Sequence, residues 1–215
     1  MLKIKLFEFN PFNENTYLVW DDLTKEAAVI DPGCYDDYEK DELNSFIEQE
    51  KLNLTLMLNT HCHIDHVLGV PFIKENYNPK YLIPEKDLPL HQNAVSQGQM
   101  FGFELEPLPE PDEFLSEDKL IQIGNEELKP FFTPGHTAGE YCFYSEKNKI
   151  CITGDVLFHQ SIGRTDLWGG DYDTLIESIR NKLLTLPDDT KIFPGHGIES
   201  TIGIERKQNP FLINL

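Results

Sequence analysis

The segment at residues 54–69, LTLMLNTHCHIDHVLG, constrains the fold of this chain more than any other. It begins as a short apolar run, which leads into a loop with three histidines and one aspartate within six residues. A bounded apolar run of this length, with helix-like sequence on both sides, is typical of a buried parallel strand. Because open α/β sheets place their chemistry at the carboxyl ends of strands, this loop is a candidate functional site.

The spacing within the loop indicates metal binding. His61 and His63 are two residues apart and reach one point only if the loop bends, while Asp65 and His66 then turn towards a second point. Imidazole and carboxylate ligands suit zinc, iron or manganese, and the absence of a Cys pair argues against a closed structural zinc site. The pattern predicts two adjacent metal positions, and the alternative is a solvated polar loop.

Length, charge and cysteine usage restrict the classes of function. A chain of 215 residues fits one domain, and its net charge of −19 does not suit nucleic acid or an anionic membrane, because basic surfaces bind both. No apolar run approaches the about 18 residues of a membrane helix, and the N-terminus lacks a signal-peptide core. The four cysteines form no CxxC pair, so we expect a reduced, cytoplasmic chain. Cys62 is expected to be a bystander because neighbouring side chains point apart, with a metal ligand or a redox-sensitive thiol as the alternatives.

The hydrophobic pattern predicts a mixture of strands and helices. Strands are predicted at residues 2–9, 16–20, 27–30, 54–58, 81–83, 120–123, 128–133, 141–145, 149–153 and 191–193. Helices are predicted at residues 37–50, 67–76, 85–101 and 172–186. The first three strands are expected to be antiparallel. The Pro-punctuated acidic segment at residues 102–118 is a candidate lid, with an ordinary covering loop as the alternative. Asp31, after the third strand, either caps a turn or supports a metal ligand, and base rates favour the turn.

Five of the seven histidines, together with Asp65 and Asp155, fall in loops that follow apolar strands at four places in the chain. The motifs are THCHIDH, TPGHTAG, TGD and PGHG, in this order. They resemble the motifs of metallo-β-lactamase-fold hydrolases, and over almost its whole length the chain is most similar to the small glyoxalase II-like group. The resemblance implies an α/β fold of the αββα type, with two mixed β-sheets flanked by helices, in a single domain at residues 1–215.

The resemblance also implies a set of metal ligands. One ion is expected at His61, His63 and His136, a second at Asp65, His66 and His196, and Asp155 is expected to bridge them. Zinc is the first expectation, with iron and manganese as alternatives. Two ions about 3.5–4 Å apart would acidify a bridging water to hydroxide near neutral pH. Asp65, His66 and Asp155 are therefore assigned catalytic roles in holding and orienting this nucleophile.

Thioester hydrolysis is the predicted activity, with S-lactoylglutathione or a related small acyl thioester as substrate. A thiolate leaves without strong protonation, and the motifs hold no obvious general acid. Arg164 lies in a GRTD segment that resembles one in the glyoxalase II-like and persulfide dioxygenase-like branches, and is a candidate clamp for a substrate carboxylate. The alternative role of Arg164 is a loop-shaping salt bridge with Asp166. Tyr141 and His159 are candidate substrate contacts, with packing as the alternative.

Other activities of the same fold remain open from the sequence. The strongest alternative is a mononuclear-iron persulfide dioxygenase-like oxidoreductase, with His61, His136 and Asp155 as its ligand triad. A lactonase, a β-lactamase or a non-catalytic binding protein fits the subgroup and the complete ligand set less well. Full-length glyoxalase II carries a C-terminal helical domain that binds glutathione. Because this chain ends soon after His196, no such domain is expected, and glutathione specificity and oligomeric state are not predicted.

Overall fold

The computed structural model describes residues 1–213. The chain forms two compact units, the first from residues 1–115 with 122–127 and the second from residues 116–121 with the chain from 128 onwards. Two six-stranded β-sheets and a small two-stranded sheet are present in the described part. None of the helices in residues 1–213 combines the length and the apolar character that crossing a membrane requires. The assignment of residues 1–215 to a single domain stays a prediction.

The first sheet starts with three antiparallel strands, as predicted, and continues with parallel ones. Its strands, in spatial order, are β1 (Leu2–Phe9), β2 (Glu14–Asp21), β3 (Glu26–Ile30), β4 (Asn53–Leu58), β5 (Lys80–Ile83) and β6 (Glu113–Phe114). The helices of this unit are α1 (Asp37–Glu50), α2 (Val70–Tyr77), α3 (Leu88–Gln92) and α4 (Ala94–Phe101).

Strand β4 leads directly into the histidine loop, and its burial explains its apolar sequence. It pairs in parallel with both β3 and β5, and Met57 and Leu58 are fully buried. Side chains on both faces of such a strand are removed from water, so the strand reads as a continuous apolar run. The predicted buried parallel strand is confirmed, and the loop that follows it begins at the carboxyl end of a rigid element.

Helix α1 shows how local sequence determines an element of this fold. The Asp36 carboxylate accepts a hydrogen bond from the Glu39 backbone N–H, and the Glu39 side chain accepts one from the Asp36 backbone N–H. This capping box satisfies backbone donors that the first helical turn cannot pair internally. Leu43 and Ile47, one turn apart, are buried and dock the helix on the unit's core.

Two predicted helices of the first unit differ from the structure. The helix expected at residues 67–76 begins only at Val70, because Ile64–His66 forms a 3₁₀ turn and a proline is best placed in a first helical turn. The helix expected at residues 85–101 is interrupted. A 3₁₀ turn at Glu85–Asp87 comes first, and Asn93 then separates α3 from α4.

The segment at residues 102–118 is partly held by the first sheet. Within it, β6 pairs in parallel with β5. The Asp112 backbone N–H donates to the Tyr81 carbonyl and the Leu115 backbone N–H to the Ile83 carbonyl, each at 2.9 Å. The candidate lid is therefore restricted to the residues before Asp112, and its role as a lid stays a prediction.

The second sheet is mixed, because β10 pairs antiparallel with β9 and parallel with β13. Its strands, in spatial order, are β14 (Ser200–Thr201), β13 (Lys191–Pro194), β10 (Ile150–Gly154), β9 (Tyr141–Ser145), β8 (Glu126–Phe132) and β7 (Ile121–Ile123). The small sheet is the hairpin of β11 (Leu157–Phe158) and β12 (Ser161–Ile162), and the helices are α5 (Tyr172–Ser178) and α6 (Ile202–Gln208).

The amphipathic helix predicted at residues 172–186 is shorter and changes geometry. Regular α-helix ends at Ser178, and one π-helical turn, Ile179–Leu183, continues it. The apolar residues whose spacing predicts this helix, Leu175, Ile176, Ile179 and Leu183, nevertheless belong to the buried core of the second unit. A π turn inserts an extra residue between hydrogen-bonded partners, which the apolar spacing alone does not reveal.

Candidate metal centre

The loop after β4 places four predicted ligands together within the first unit. The ring centroids of His61 and His63 are 4.8 Å apart with perpendicular planes, and those of His61 and His66 are 4.1 Å apart. Nε2 of His66 lies 3.7 Å from Oδ2 of Asp65. His61 and His66 are fully buried, whereas the Asp65 side chain is partly exposed. The 3₁₀ turn supplies the bend that the spacing of these residues requires.

Asp31 supports this loop from the end of β3. Its carboxylate accepts hydrogen bonds from the backbone N–H and the hydroxyl of Thr60, each at 2.7 Å. Its Oδ2 also lies 3.2 Å from Nδ1 of His66. The sequence favours a turn for Asp31, and the structure corrects this interpretation by assigning it a supporting contact to the histidine loop. The position after a strand was the only local signal for this role.

The hydroxyl of Thr60 sets the tautomer of His61. This hydroxyl has one proton, which it donates to Asp31, and it lies 3.0 Å from Nδ1 of His61. It must therefore accept a hydrogen bond from that nitrogen, so Nδ1 carries the imidazole proton. Nε2 then carries the lone pair that a metal ion needs, as is usual for metal-binding histidines.

Two asparagines that the sequence analysis did not single out hold the backbone of the loop. Nδ2 of Asn10 donates to the Asp65 carbonyl at 3.0 Å, and Nδ2 of Asn59 donates to the His66 carbonyl at 2.7 Å. Asn59 is itself oriented by the hydroxyl of Tyr81, which donates to Oδ1 at 2.9 Å. Amide side chains can donate hydrogen bonds to loop carbonyls that are not paired within a sheet. The residues around each asparagine in the sequence do not indicate this role.

Burial raises the pKa of two groups in or next to the loop. Burial raises the pKa of the Glu14 carboxyl well above its ordinary value, and Oε1 of this residue lies 3.9 Å from Nδ1 of His66. Burial likewise raises the pKa of the Cys62 thiol. Glu14, Asp31 and His66 offer ligand atoms within 4.8 Å of one another. Because they meet at the Nδ1 edge of His66, we interpret the two acids as supporting groups and Cys62 as a bystander.

The second unit carries the remaining predicted ligands near the ends of three strands. His136 follows β8, Asp155 follows β10 and His196 follows β13. Nε2 of His136 lies 3.5 Å, and Nε2 of His196 3.7 Å, from the same oxygen, Oδ2 of Asp155. Asp155 is buried and its backbone N–H donates to Oε1 of Glu140 at 2.8 Å. A carboxylate with an imidazole on either side is suited to contact two cations.

Arg164, the predicted substrate clamp, is engaged with Asp166. Its Nε and Nη2 donate to the two carboxylate oxygens of Asp166 at 2.7 and 2.8 Å. The guanidinium holds the pKa of Asp166 at about 2. The loop-shaping salt bridge that the sequence offers as an alternative is therefore present, and substrate binding by Arg164 stays a prediction.

The two other predicted substrate contacts also have local partners. Nδ1 of His159 lies 3.4 Å from Oγ of Ser200 and 3.5 Å from Oε1 of Glu205. The ring of Tyr141 packs against Phe132, with centroids 5.3 Å apart. These contacts account for packing at both positions, and their role in substrate binding stays a prediction.

The donor set fits divalent transition-metal ions. Nδ1 of His61, His66 and His136 each faces an oxygen atom of the protein. Such partners orient the rings and leave Nε2 for coordination. Imidazole and carboxylate ligands suit zinc, iron and manganese alike.

The family model of the metallo-β-lactamase superfamily matches residues 9–196 of this sequence, which is most of the chain. The chain belongs to the metallo-β-lactamase superfamily. Together with the histidine and aspartate groups, this membership makes it a metal-binding hydrolase of that superfamily.

Similar superfamily members span nearly the full length of the chain. The hydroxyacylglutathione hydrolase GloC of Haemophilus influenzae is 40% identical over 218 residues, covering 98% of each chain. The structure of the BLEG-1 B3 metallo-β-lactamase matches with a TM-score of 0.87 at 34% identity, covering 98% of this chain and 99% of that one. TTHA1623 in a di-iron-bound form matches with a TM-score of 0.86 at 33% identity, covering 97% and 100%. The predicted fold class and the glyoxalase II-like resemblance are confirmed.

Proposed function

We propose that this chain is a thioesterase of the glyoxalase II type, which hydrolyses a hydroxyacylglutathione or a related acyl thioester with two divalent metal ions. The observation that carries the proposal is the 40% identity to a hydroxyacylglutathione hydrolase across 98% of both chains. The ligand residues support it, because all seven that the family motifs imply are present in the sequence.

The ligand sets that we propose are those implied by the resemblance of the motifs to the family. One ion would be held by His61, His63 and His136, a second by Asp65, His66 and His196, and Asp155 would be a ligand of both. Zinc is the metal we propose first. Iron is the alternative, supported by the di-iron form of the similar protein TTHA1623.

When bound, two divalent ions lower the pKa of water to give a nucleophile near neutral pH and polarise the scissile carbonyl. The residues of the chain prepare this chemistry. Thr60 and Asp31 hold His61 and His66 with Nδ1 towards the protein, so that Nε2 of each ring is presented for coordination. Asp65, whose carboxylate is partly exposed, can accept a hydrogen bond from the attacking water and orient it.

A thioester suits these residues better than a poorly activated ester or amide. A thiolate is a stable leaving group, and every side chain assigned to the centre either binds metal or supports a ligand. We propose Tyr141 and His159 as contacts of the thiol part or the carboxylates of a small substrate, whereas the guanidinium of Arg164 is already engaged by Asp166. The net charge of −19 disfavours nucleic acid as a substrate.

Metal analysis and substrate assays on protein purified without chelator test the proposal. We expect about two divalent ions per chain, hydrolysis of S-lactoylglutathione or a coenzyme A thioester, and no oxygen uptake with glutathione persulfide. One iron per chain with persulfide-dependent oxygen uptake would instead assign the dioxygenase reaction. Faster hydrolysis of lactones or β-lactams than of any thioester would show that the proposed substrate class is wrong.

Replacing Asp31 with asparagine is expected to weaken metal binding by about 10- to 100-fold, the usual cost of losing an outer partner of a metal-binding histidine. Both carboxylate oxygens of Asp31 face hydrogen-bond donors, on Thr60 and His66. Asparagine would place its NH2 group, which is itself a donor, against one of them. Competition with a zinc chelator measures the affinity.

Asp22→Asn is the matched control, because Asp22 is a half-exposed carboxylate of the same unit that pairs with lysines. We expect it to bind zinc as the unsubstituted protein does. Equal zinc affinity in the Asp31 and Asp22 variants would contradict the supporting role of Asp31.

A further inference from the structure

His136 is held at its Nδ1 edge by the GRTD segment, residues 163–166. The backbone carbonyl of Arg164 lies 2.8 Å from Nδ1 of His136. A carbonyl only accepts hydrogen bonds, so Nδ1 donates and carries the proton, and the lone pair is on Nε2. Nε2 is the atom that lies 3.5 Å from Oδ2 of Asp155. The peptide of Arg164 therefore sets both the tautomer and the direction of this imidazole.

Gly163 brings the same segment against a second ligand. A Cβ at this position would lie 1.8 Å from the carbonyl oxygen of Asp155 and 3.2 Å from Cβ of His136. Only glycine lets the backbone pass this close. The Gly163 N–H also donates to the carbonyl of Val156, next to Asp155, at 3.3 Å. His136 and Asp155 thus share one backbone support.

The side chain of Arg164 forms an ion pair with Asp166 inside the same segment. This ion pair is bidentate, and only Thr165 separates the two residues in sequence. The side chains of Arg164 and Asp166 are 60% and 67% exposed. Exposed ion pairs usually contribute little to stability, and two-pronged arginine–carboxylate pairs are the exception because their geometry is specific. At this short separation the pair restricts the backbone angles of residues 164–166, and with them the direction of the Arg164 carbonyl.

We propose that the Arg164–Asp166 pair is a positioning device for His136, which it holds through the Arg164 carbonyl with Nε2 directed towards the metal. The inference rests on the proposed function only in taking His136 as a metal ligand. It gives Asp166 a role that a substrate clamp at Arg164 does not require. If Arg164 bound a substrate carboxylate instead, removing Asp166 would free the guanidinium for the substrate. KM would then either stay the same or decrease.

Zinc affinity, measured on the zinc-loaded protein by chelator competition without substrate, tests the proposal. Arg164→Ala and Asp166→Ala are each expected to lower the affinity by roughly 3- to 10-fold, less than the loss of a direct outer partner. The double variant is expected to lose no more than either single variant, because all three break the same pair. The charge swap, Arg164→Asp with Asp166→Arg, is expected to restore most of the affinity.

Two further readouts separate positioning from a general loss of structure. Nitrogen chemical shifts of the His136 ring report its tautomer, and we expect the Nδ1–H form to be less populated in both single variants. KM for a thioester is expected to stay unchanged in both. Lys149→Ala is the matched control, since Lys149 and Asp189 form a similarly exposed ion pair of the same unit. Zinc affinity is expected to be unaffected by this control.

An increased KM with unchanged zinc affinity in Arg164→Ala alone would overturn the proposal in favour of a substrate clamp. Unchanged zinc affinity in both single variants would overturn it as well. A protein that hydrolyses no thioester, but loses zinc affinity in both variants, would support this inference and contradict the proposed function. An unsubstituted protein that binds no zinc, iron or manganese would overturn both. Thermal unfolding identifies a variant that does not fold, and the isosteric Asp166→Asn then replaces Asp166→Ala.

Discussion

Replacing Asp155 with alanine is expected to lower kcat/KM for thioester hydrolysis by roughly 10³-fold or more. Oδ2 of Asp155 lies 3.5 Å from Nε2 of His136 and 3.7 Å from Nε2 of His196, so its loss removes the anion shared by two imidazoles. If two ions bind as proposed, the substitution would also remove a negative charge that offsets theirs. We expect the metal content per chain to fall together with kcat/KM, as measured by elemental analysis and a thioester assay.

Asp189→Ala is the control for this substitution, because it removes an exposed carboxylate from the same unit. It is expected to retain the metal content and kcat/KM of the unsubstituted protein. Full metal content in Asp155→Ala, with kcat/KM within tenfold of the unsubstituted protein, would show that the bridging assignment is wrong.

Replacing Gly135 with alanine is expected to lower the free energy of unfolding by about 3 kcal/mol or more. The backbone of Gly135 has a φ of 136°, a conformation that residues with a side chain rarely adopt. An added Cβ would also lie 2.3 Å from the backbone N and Cα of Leu175, which belong to α5 and cannot move independently. Denaturant titration in excess chelator measures the effect without a contribution from metal binding.

Gly102→Ala separates the two causes of this loss. Gly102 also has a positive φ, of 82°, but an added Cβ would meet no atom within 4 Å. We expect this variant to lose only about 1 kcal/mol, the cost of a left-handed conformation. A Gly135 variant as stable as the Gly102 variant would mean that the close approach to α5 relaxes without cost.

The candidate ligands could be identified from sequence because each lies beside a local signal. An apolar strand precedes each motif, and short glycine-containing turns follow β8 and β13. The prediction of β4 as a buried parallel strand succeeded for the same reason, since burial on both faces shapes the composition of the strand itself. Such signals extend over a few neighbouring residues, which is the range that hydrophobic periodicity can report.

The supports of these ligands could not be identified in this way. Asp31 accepts its hydrogen bonds from Thr60, 29 positions later, and the Arg164 carbonyl meets His136 across 28 positions. A carboxylate after a strand satisfies a local turn or a distant hydroxyl equally well, and only the folded arrangement decides between them. The sequence does not indicate which backbone carbonyl will accept a hydrogen bond from a histidine, because every residue has a carbonyl.

Helix boundaries show the same division between local and tertiary causes. The capping box at Asp36 is complete within four residues, and α1 occupies residues 37–50 as predicted. The break at Asn93 leaves Leu90 and Ala94 packed in the core of the first unit, and the π turn at Ile179–Leu183 leaves its apolar residues in the core of the second unit, although both change the backbone geometry. Packing against the rest of the unit selects such departures, so periodicity along the chain does not anticipate them.

The sequence by itself determined the superfamily, the fold class and the identity of the candidate ligands, because its short motifs resemble those of the superfamily, whereas the strand pattern alone indicated only a mixture of strands and helices. The tertiary structure alone decided which groups orient those ligands: Thr60 and Asp31 for the histidine loop, and the Arg164 carbonyl for His136. The physical reason is that metal ligation requires particular side-chain types, whereas a histidine can be oriented by any well-placed oxygen, and placement is a property of the fold.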